Sequence, residues 1–475
     1  MRMRMILCLS VLLLTGTAWA QERNMARLSC SDSTFVDVSL GVGGATGTLK
    51  DIFAPKQTVC GGLDAVSRRK LDKVSLYGRF GYGYDYGFGS TWRGWIDPYE
   101  TPFMLADSIP GSLSLERYAM EAGAGVPLGG GWSAGLDLAY DVSLMAKHKD
   151  LRNKNTAMTF RVAPGIHWQG DRLGLGFDAG YERSTERVEY MQVSSSVEHV
   201  LFDLYGLWVY HGNGYASAET RRFKEGKRFF ADVQIDLQMG DAALHNNLRG
   251  SWQESVQTEV GYNNQQFGTT RSWTWEDVLS LDVGKRHHLE ASVAFSTMEG
   301  LRPLQRQELD PDSRIRVWVT YGDPVFCYWR GVHTERLFYT YGTTWKLTVG
   351  VENWKMDQSY TEYPQRFVQG IGTVTSSASM MVPLGRQFEL TASAGFAKDY
   401  DPVCTITPWQ LTEPMLLQWE YWEGDSWLAG LGARWTSTSG RTYVRGRYNL
   451  EVSTEPASDI GGSRHTASLT LGFIF

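Results

Sequence analysis

Serine, histidine and cysteine are the residue types that could supply nucleophilic or metal chemistry, and this sequence scatters them. A hydrolase would need one of the nine histidines beside a nucleophile and an acidic residue. His287 and His288 fall at an expected tight turn. His211 lies in the glycine-rich segment 210–214, where a histidine is usually a loop residue rather than a base. We therefore predict no catalytic residue, although residues from separate strands could still assemble an active site.

Metal and cofactor chemistry receives no support from residue spacing. No group of histidines, cysteines or acidic residues has the spacing of a zinc or calcium site. No phosphate-binding glycine motif is present. We expect no metal and no cofactor.

Four cysteines follow the N-terminal apolar segment, namely Cys30, Cys60, Cys327 and Cys404. An even number of cysteines in an oxidising compartment permits disulfides. Position along the chain favours Cys30 with Cys60 and Cys327 with Cys404, and the other pairings remain open.

The N-terminus has the pattern of a secretory signal peptide. Arg2 and Arg4 precede an apolar run over residues 5–14, and small residues at 18–20 form a cleavage pattern. Cys8 lies inside the apolar run rather than just after a cleavage motif, so we do not expect a lipoprotein anchor. We predict a signal peptide over residues 1–20 and a mature chain outside the cytoplasm.

The last eleven residues, 465–475, alternate between two kinds of side chain. One face carries Leu469, Leu471, Phe473 and Phe475, and the other face carries small and polar residues. This period-2 pattern predicts a strand with one fully apolar face. Such a strand at the end of a chain is typical of an outer-membrane barrel that closes against lipid.

The same alternation recurs between tight turns at 129–131, 170–172, 240–241, 284–286, 342–343, 383–386 and 438–440. The apolar faces span five or six positions, about the ~9–11 residues of a tilted membrane strand. A soluble β-sandwich also alternates, but its strands average about 5–6 residues. We predict an all-β, transmembrane, antiparallel up-and-down barrel over residues 73–475, with about 16 strands (14–18 as the range). Residues 21–72 are expected to form a periplasmic or plug segment.

If the apolar positions face lipid, their charged alternates face the lumen, because charge on the lipid face is costly. The predicted lumen-facing charges are Glu121, Asp137, Asp141, Asp178, Glu182, Asp232, Asp236, Asp282, Glu290, Lys346, Glu352, Glu389, Arg434, Arg445 and Arg447. They either hydrate and cross-link the interior or form an acidic lumen that favours cations. The long aromatic connections 191–226, 300–329 and 398–426 either recognise a ligand or fold over the barrel mouth.

A net charge of −6 without a long basic run gives no indication of nucleic-acid binding. The expected partners are outer-membrane lipid on the apolar faces and the barrel insertion machinery, which would read the C-terminal strand.

Short segments carry a resemblance to a known group of proteins, namely residues 107–111 (DSIPG), 210–212 (YHG), 330–331 (RG) and 473–475 (FIF). In these the chain resembles an uncharacterised family of Bacteroidota outer-membrane barrels, often encoded beside TonB-dependent receptors. The resemblance implies an outer-membrane location and an accessory role beside such a receptor. Our leading hypothesis is a transport or binding barrel or such an accessory. The alternatives are an outer-membrane hydrolase with a strand-built site and a component of a secretion assembly.

Overall fold

A computed structural model describes residues 24–30, 33–193, 199–206, 214–215, 220–259, 265–360, 365–405, 412–454 and 462–475. The predicted signal peptide and the segment 210–212 lie outside the described residues. Among the residues that are described, no helix is long and apolar enough to span a membrane.

Antiparallel strands make up most of the described chain. They are β1 (Phe35–Gly47), β2 (Gln57–Lys70), β3 (Ser75–Ser90), β4 (Phe103–Ala106), β5 (Gly111–Gly129), β6 (Trp132–Lys147), β7 (Arg152–Gln169), β8 (Leu173–Met191), β9 (Val200–Tyr205), β10 (Gly214–Tyr215), β11 (Thr220–Met239), β12 (Ala242–Glu259), β13 (Gln265–Val283), β14 (His287–Leu309), β15 (Arg316–Tyr341), β16 (Trp345–Tyr360), β17 (Gln365–Leu384), β18 (Phe388–Thr405), β19 (Ser426–Thr436), β20 (Thr442–Ser453) and β21 (Ser463–Ile474). A 3-10 helix (Met25–Cys30) precedes β1, and α1 (Thr412–Trp422) lies between β18 and β19.

Eighteen of these strands form one closed barrel, in which each strand pairs with its neighbours in chain order. The barrel closes between its first and last strands. β1 and β21 are paired from Asp37 opposite Ile474 to Gly47 opposite Arg464. The backbone of Phe475 exchanges two further hydrogen bonds with Val36. The three remaining short strands, β4, β9 and β10, form a small separate sheet.

The all-β barrel class is confirmed, but the strand number and the N-terminal boundary differ from the prediction. The barrel has 18 strands rather than 16, because β1 and β2 lie in the segment 21–72 that we expected to be periplasmic or a plug. Glycine pairs at 43–44 and 61–62 interrupt the alternation of side-chain size there. A glycine can still occupy a strand whose neighbours complete its hydrogen bonds, as Gly43 does opposite Cys60.

The two ends of the barrel differ. All seven predicted tight turns join neighbouring strands at one end, and an eighth turn joins β2 to β3 there. We call this the turn end, and both β1 and β21 have their outer termini at it. The opposite, loop end carries the long connections 91–110, 192–219 and 406–425. In bacterial outer-membrane barrels the short turns face the periplasm.

Apolar side chains cover the outer face of the barrel. Exposed examples from strands around the wall are Leu40, Phe80, Leu136, Phe177, Val233, Leu279, Leu347, Leu390, Leu431 and Leu471. Each strand places alternate residues on this face, so their neighbours in sequence point into the lumen.

This assignment of faces is testable with two adjacent residues of β16. Leu347 is 48% exposed on the outer face, and Thr348 points inward. We expect Leu347→Arg to destabilise the inserted barrel by about 2–4 kcal/mol, because it places a charge against lipid. Thr348→Arg should have a much smaller effect. Urea unfolding of both variants in lipid vesicles measures the difference, and equal losses of stability would contradict the assignment.

Candidate functional site

The predicted lumen charges lie on inward strand positions and form ion pairs between strands. Asp137 pairs with Arg161 at 2.8 Å and Asp232 with Arg249 at 3.5 Å. Glu389 lies 3.9 Å from Arg434. Asp178 and Asp232 are directly opposite on β8 and β11, and both are buried.

The remaining predicted charges are spread around the same wall rather than gathered at one site. Glu121 lies 3.9 Å from Arg79, and Glu290 lies 3.8 Å from His288. The Lys346 ammonium lies 5.1 Å from the Phe338 ring centre. Asp282 binds the same His288 at 2.8 Å, and Arg445 lies opposite Arg434. Asp141, Glu182, Glu352 and Arg447 lie on β6, β8, β16 and β20.

Arginines that the sequence analysis did not select balance much of this negative charge. Arg79, Arg161 and Arg249 each contact an acidic residue of a neighbouring strand. They occupy inward positions by the same alternation that identified the acids, so the signal was present in the sequence. The lumen therefore has mixed charge rather than a uniformly acidic surface.

Connections from the loop end fold into the barrel and fill its mouth. Segment 91–110, which contains β4, packs with α1 and with inward side chains of the wall into one buried apolar cluster. We call this cluster the cap. Its aromatic members are Phe53, Trp92, Trp95, Tyr99, Phe103, Tyr190, Phe267, Phe326, Tyr328, Trp354, Trp419, Tyr421 and Trp422. Segment 300–329 is not a long connection, because residues 300–309 belong to β14 and residues 316–329 to β15. In the described parts of segments 191–226 and 398–426, side chains such as Leu204 and Trp419 pack into the cap, in line with the interpretation in which these connections fold over the mouth. Trp208, Tyr210 and Trp409 lie outside the described residues.

Tyr99 connects three separate segments within the cap. Its hydroxyl donates to Asp51 Oδ2 at 2.5 Å and accepts from the Gln418 amide of α1 at 2.6 Å. Its backbone carbonyl accepts from the Arg330 guanidinium of β15 at 2.9 Å. Burial raises the pKa of the Tyr99 hydroxyl, so it remains a neutral donor. The β1–β2 loop, segment 91–110 and α1 are therefore held together by one side chain.

Charged side chains of the wall hold the cap from below. Lys224 of β11 is buried and binds Glu100 at 2.6 Å and Glu186 at 3.2 Å. Glu186 also accepts from the backbone amide of Ile96 at 2.9 Å. The Lys224 ammonium lowers the pKa of the Glu100 carboxyl, so this group stays ionised and paired. Trp95 is 0% exposed, and its ring centre lies 5.1 Å from the Lys224 ammonium.

The turn end of the lumen holds the 3-10 helix against β5, β6 and β7. Ser133 donates to the carbonyl of Ala26 at 2.9 Å, and Arg68 donates to the carbonyl of Leu28 at 3.0 Å. The Asn24 amide donates to the carbonyl of Ile166 at 3.1 Å. Part of the segment that we predicted to be a plug therefore does lie inside the barrel, at its turn end.

Glycines on the wall provide the space for this helix. A Cβ at Gly123 or Gly125 would overlap Met25, a Cβ at Gly135 would overlap the backbone of Ala26, and one at Gly165 would overlap Asn24. We call these four positions the glycine floor. Steric space, rather than a special backbone angle, requires glycine here.

The helix brings Cys30 to a histidine and an aspartate of the wall. Cys30 Sγ lies 3.6 Å from His167 Nδ1 on β7, and His167 Nε2 lies 3.9 Å from Asp236 Oδ2 on β11. Asp236 also binds His245 of β12 at 2.7 Å and Arg27 at 3.2 Å. Sequence reasoning selected Asp236 but missed this cluster, because Cys30 lies 137 residues before His167 and the members share no motif.

The predicted disulfides Cys30–Cys60 and Cys327–Cys404 are not formed. Cys30 lies at the turn end, whereas Cys60 lies near the loop-end start of β2. Cys327 and Cys404 lie on β15 and β18 with two strands between them. Adjacent strands are about 4.8 Å apart, so three strand spacings separate Cys327 from Cys404. Cys30 and Cys60 are separated along the barrel axis instead. Both distances exceed the ~4.4–6.8 Å between the Cα atoms of a disulfide. Proximity in sequence was a poor guide to pairing because the barrel wall separates these residues.

Among the described residues, no group of three or more His, Cys, Asp or Glu is arranged to hold a metal ion.

The glycine floor predicts how the helix can be released. We expect Gly135→Val to displace the helix, because overpacking typically costs about 1–3 kcal/mol. Trypsin should then cleave after Arg27 about tenfold faster, since local opening exposes the peptide bond. Gly250→Val is the matched control, because a Cβ at Gly250 has no atom within 4 Å. Equal cleavage rates in the two variants would show that the floor does not hold the helix.

A closed antiparallel barrel with an apolar outer face, a polar lumen and short turns at one end defines the class of outer-membrane β-barrels of Gram-negative bacteria. Within it, the chain belongs to a family of unknown function, DUF6850, whose model matches residues 26–475. No curated protein matches the sequence.

Solved structures of similar architecture are outer-membrane transport proteins. BauA, the ferric preacinetobactin receptor of Acinetobacter baumannii, aligns with a TM-score of 0.43 and 9% identity over 93% of this chain and 80% of its own. The copper transporter OprC aligns at 0.45 and 9%, over 93% and 80%. The ferric-catecholate import receptor Fiu of Escherichia coli K12 aligns at 0.42 and 9%, over 94% and 82%. At these scores the likenesses carry no argument about what this chain binds.

Proposed function

We propose that this protein is a transport or binding barrel whose lumen is gated at the outer surface by the cap. The observation that carries the proposal is the packing of segment 91–110 and α1 inside the mouth. Barrels of 16–18 strands are wide enough to leave an aqueous channel. In this barrel the cap occupies the part of that space at the loop end.

The contacts of the cap favour a movable gate rather than a permanent filling. Its attachments to the wall are side-chain contacts, such as Lys224 with Glu100 and Arg330 with the Tyr99 carbonyl. None of the barrel strands has to separate for these contacts to break. Below the cap, the ion-paired wall offers a polar path suited to hydrophilic solutes.

The partners of the barrel are part of the same proposal. Phe475 is 74% exposed beside the apolar face of β21, where the insertion machinery could read it. A gated barrel with an aromatic cap also suits an accessory that works beside a nutrient receptor. Co-purification with such a receptor from the native membrane is the direct test of that role, and its absence would leave the barrel to act alone.

Planar-bilayer recordings test the gate. We expect the purified wild-type barrel to show few channel openings. The double variant Trp95→Ala/Phe103→Ala should conduct steadily, since loss of each buried aromatic side chain costs about 3–5 kcal/mol of packing. Trp273→Ala is the control, because this side chain is 63% exposed on the outer face.

Two outcomes would overturn the proposal. Steady large channels in the wild-type protein would show that the cap does not close the lumen. A double variant that inserts, keeps the heat-modifiable gel mobility of a folded barrel and still does not conduct would show that the cap is not what blocks it.

A further inference from the structure

The cluster of Cys30, His167 and Asp236 is assembled from three separate elements. The 3-10 helix supplies the thiol, β7 the imidazole and β11 the carboxylate, with 3.6 Å from Sγ to Nδ1 and 3.9 Å from Nε2 to the carboxylate. A nucleophile, a base within hydrogen-bond reach of it and an acidic group close to the base form the arrangement used to activate a thiol.

The order of the three groups is fixed by contacts on both sides. His167 is only 1% exposed. Its Nδ1 faces the thiol, and its Nε2 faces Asp236 at an ion-pair distance of 3.9 Å without a hydrogen bond. Asp236 is held in turn by His245 and Arg27. On the other side, the glycine floor and Ser133 hold the helix that carries Cys30.

Cys30 differs from the other three cysteines in access and in surroundings. It is exposed, whereas Cys60 is buried and Cys327 and Cys404 are half-buried. The side chain of Cys404 lies 3.7 Å from the Gln369 amide, a neutral group. His167 lies three residues before the tight turn at Gly170, so solutes at the turn end can reach the thiol without passing the cap.

We propose that Cys30 is a nucleophilic thiolate, activated by His167 and Asp236, that forms a mixed disulfide with a disulfide-bearing molecule from the periplasmic side. This site is independent of the gate proposed above, because it lies at the opposite end of the lumen. The ligand is defined by its chemistry, a disulfide R–S–S–R′, which either a small molecule or a protein can carry.

The exchange balances without another reactant. His167 Nδ1 takes the proton of the Cys30 thiol, and the thiolate attacks one sulfur of R–S–S–R′. The bond Cys30–S–S–R forms, the bond between R–S and S–R′ breaks, and R′–S⁻ leaves with the electron pair. The imidazolium then returns a proton to the leaving thiolate, as in ordinary thiol–disulfide exchange.

The electrostatics of the site support the same geometry. The hydrogen bond from His167 is the largest cause that lowers the pKa of the Cys30 thiol, against the opposing effect of burial. Arg27 of the same helix lowers it further. The other charged groups around the pair are Asp236 from β11 and His245 from β12. A cysteine in such an electropositive and accessible place is the reactive kind.

The test uses the mature chain, which lacks the predicted signal peptide and its Cys8, with Cys60, Cys327 and Cys404 changed to serine, so that Cys30 is the single thiol. Oxidised glutathione is the probe, and intact mass measures the rate of mixed-disulfide formation between pH 5 and 9. We expect half of the maximal rate at a pH well below ~8.5, the value for a free cysteine. His167→Gln should slow the reaction at pH 6.5 by about tenfold and move the midpoint back toward ~8.5. Asp236→Asn should have a smaller effect in the same direction.

The control is His148→Gln, since His148 is exposed and contacts Ser114 far from the cluster. It should leave the pH profile unchanged. Heat-modifiable gel mobility confirms that each variant is folded, and the profile of the single-thiol protein decides the question even if His167→Gln fails to fold. A midpoint near ~8.5 in that protein, or a profile that His167→Gln does not move, would overturn the proposal. Non-reducing gels of whole cells then distinguish a protein partner, which shifts the band, from a small molecule, which changes only the mass.

Discussion

The pairing of β1 with β21 is the contact on which the rest of the structure depends. Inside a bilayer no water is available to a free backbone amide or carbonyl, so a sheet in the membrane must close on itself. The hydrogen bonds from Asp37 opposite Ile474 to Gly47 opposite Arg464 remove the two open edges. β1 and β2 therefore have to be strands, whatever their side-chain pattern suggests locally.

A barrel of this circumference also has a wide interior, and the connections between strands occupy part of it. Eighteen strands enclose more space than wall side chains can fill. The cap fills the loop end with aromatic side chains, and the 3-10 helix occupies part of the turn end over the glycine floor. Between them, ion pairs such as Asp137 with Arg161 satisfy charges that the lipid face could not accept. The interior is thus divided into an apolar cap at the loop end, a polar middle and the 3-10 helix at the turn end.

Local periodicity predicted the wall well where side chains alternate in size. The outward positions of β6 and β21 could be read from Leu136 and Leu471 and their neighbours, because lipid imposes the same requirement on every strand. Periodicity failed over β1 and β2, where Gly44 and Gly61 stand at outward positions that carry bulky side chains on other strands, and strand identity comes from the partners instead. The disulfide pairs failed for a related reason, since distance along this chain says little about distance across the barrel.

The sequence by itself determined the class of the protein, the faces of its strands and the direction in which its charges point. Those properties follow from period-2 patterns that each strand carries independently. Only the tertiary structure decided that Tyr99 joins three segments in the mouth and that Cys30 lies beside His167. Both arrangements depend on where closure of the ring places distant segments inside the lumen. Sites of that kind leave no recognisable spacing in the sequence. Their residues lie far apart in the chain and meet only when hydrogen bonds between the strands close the barrel.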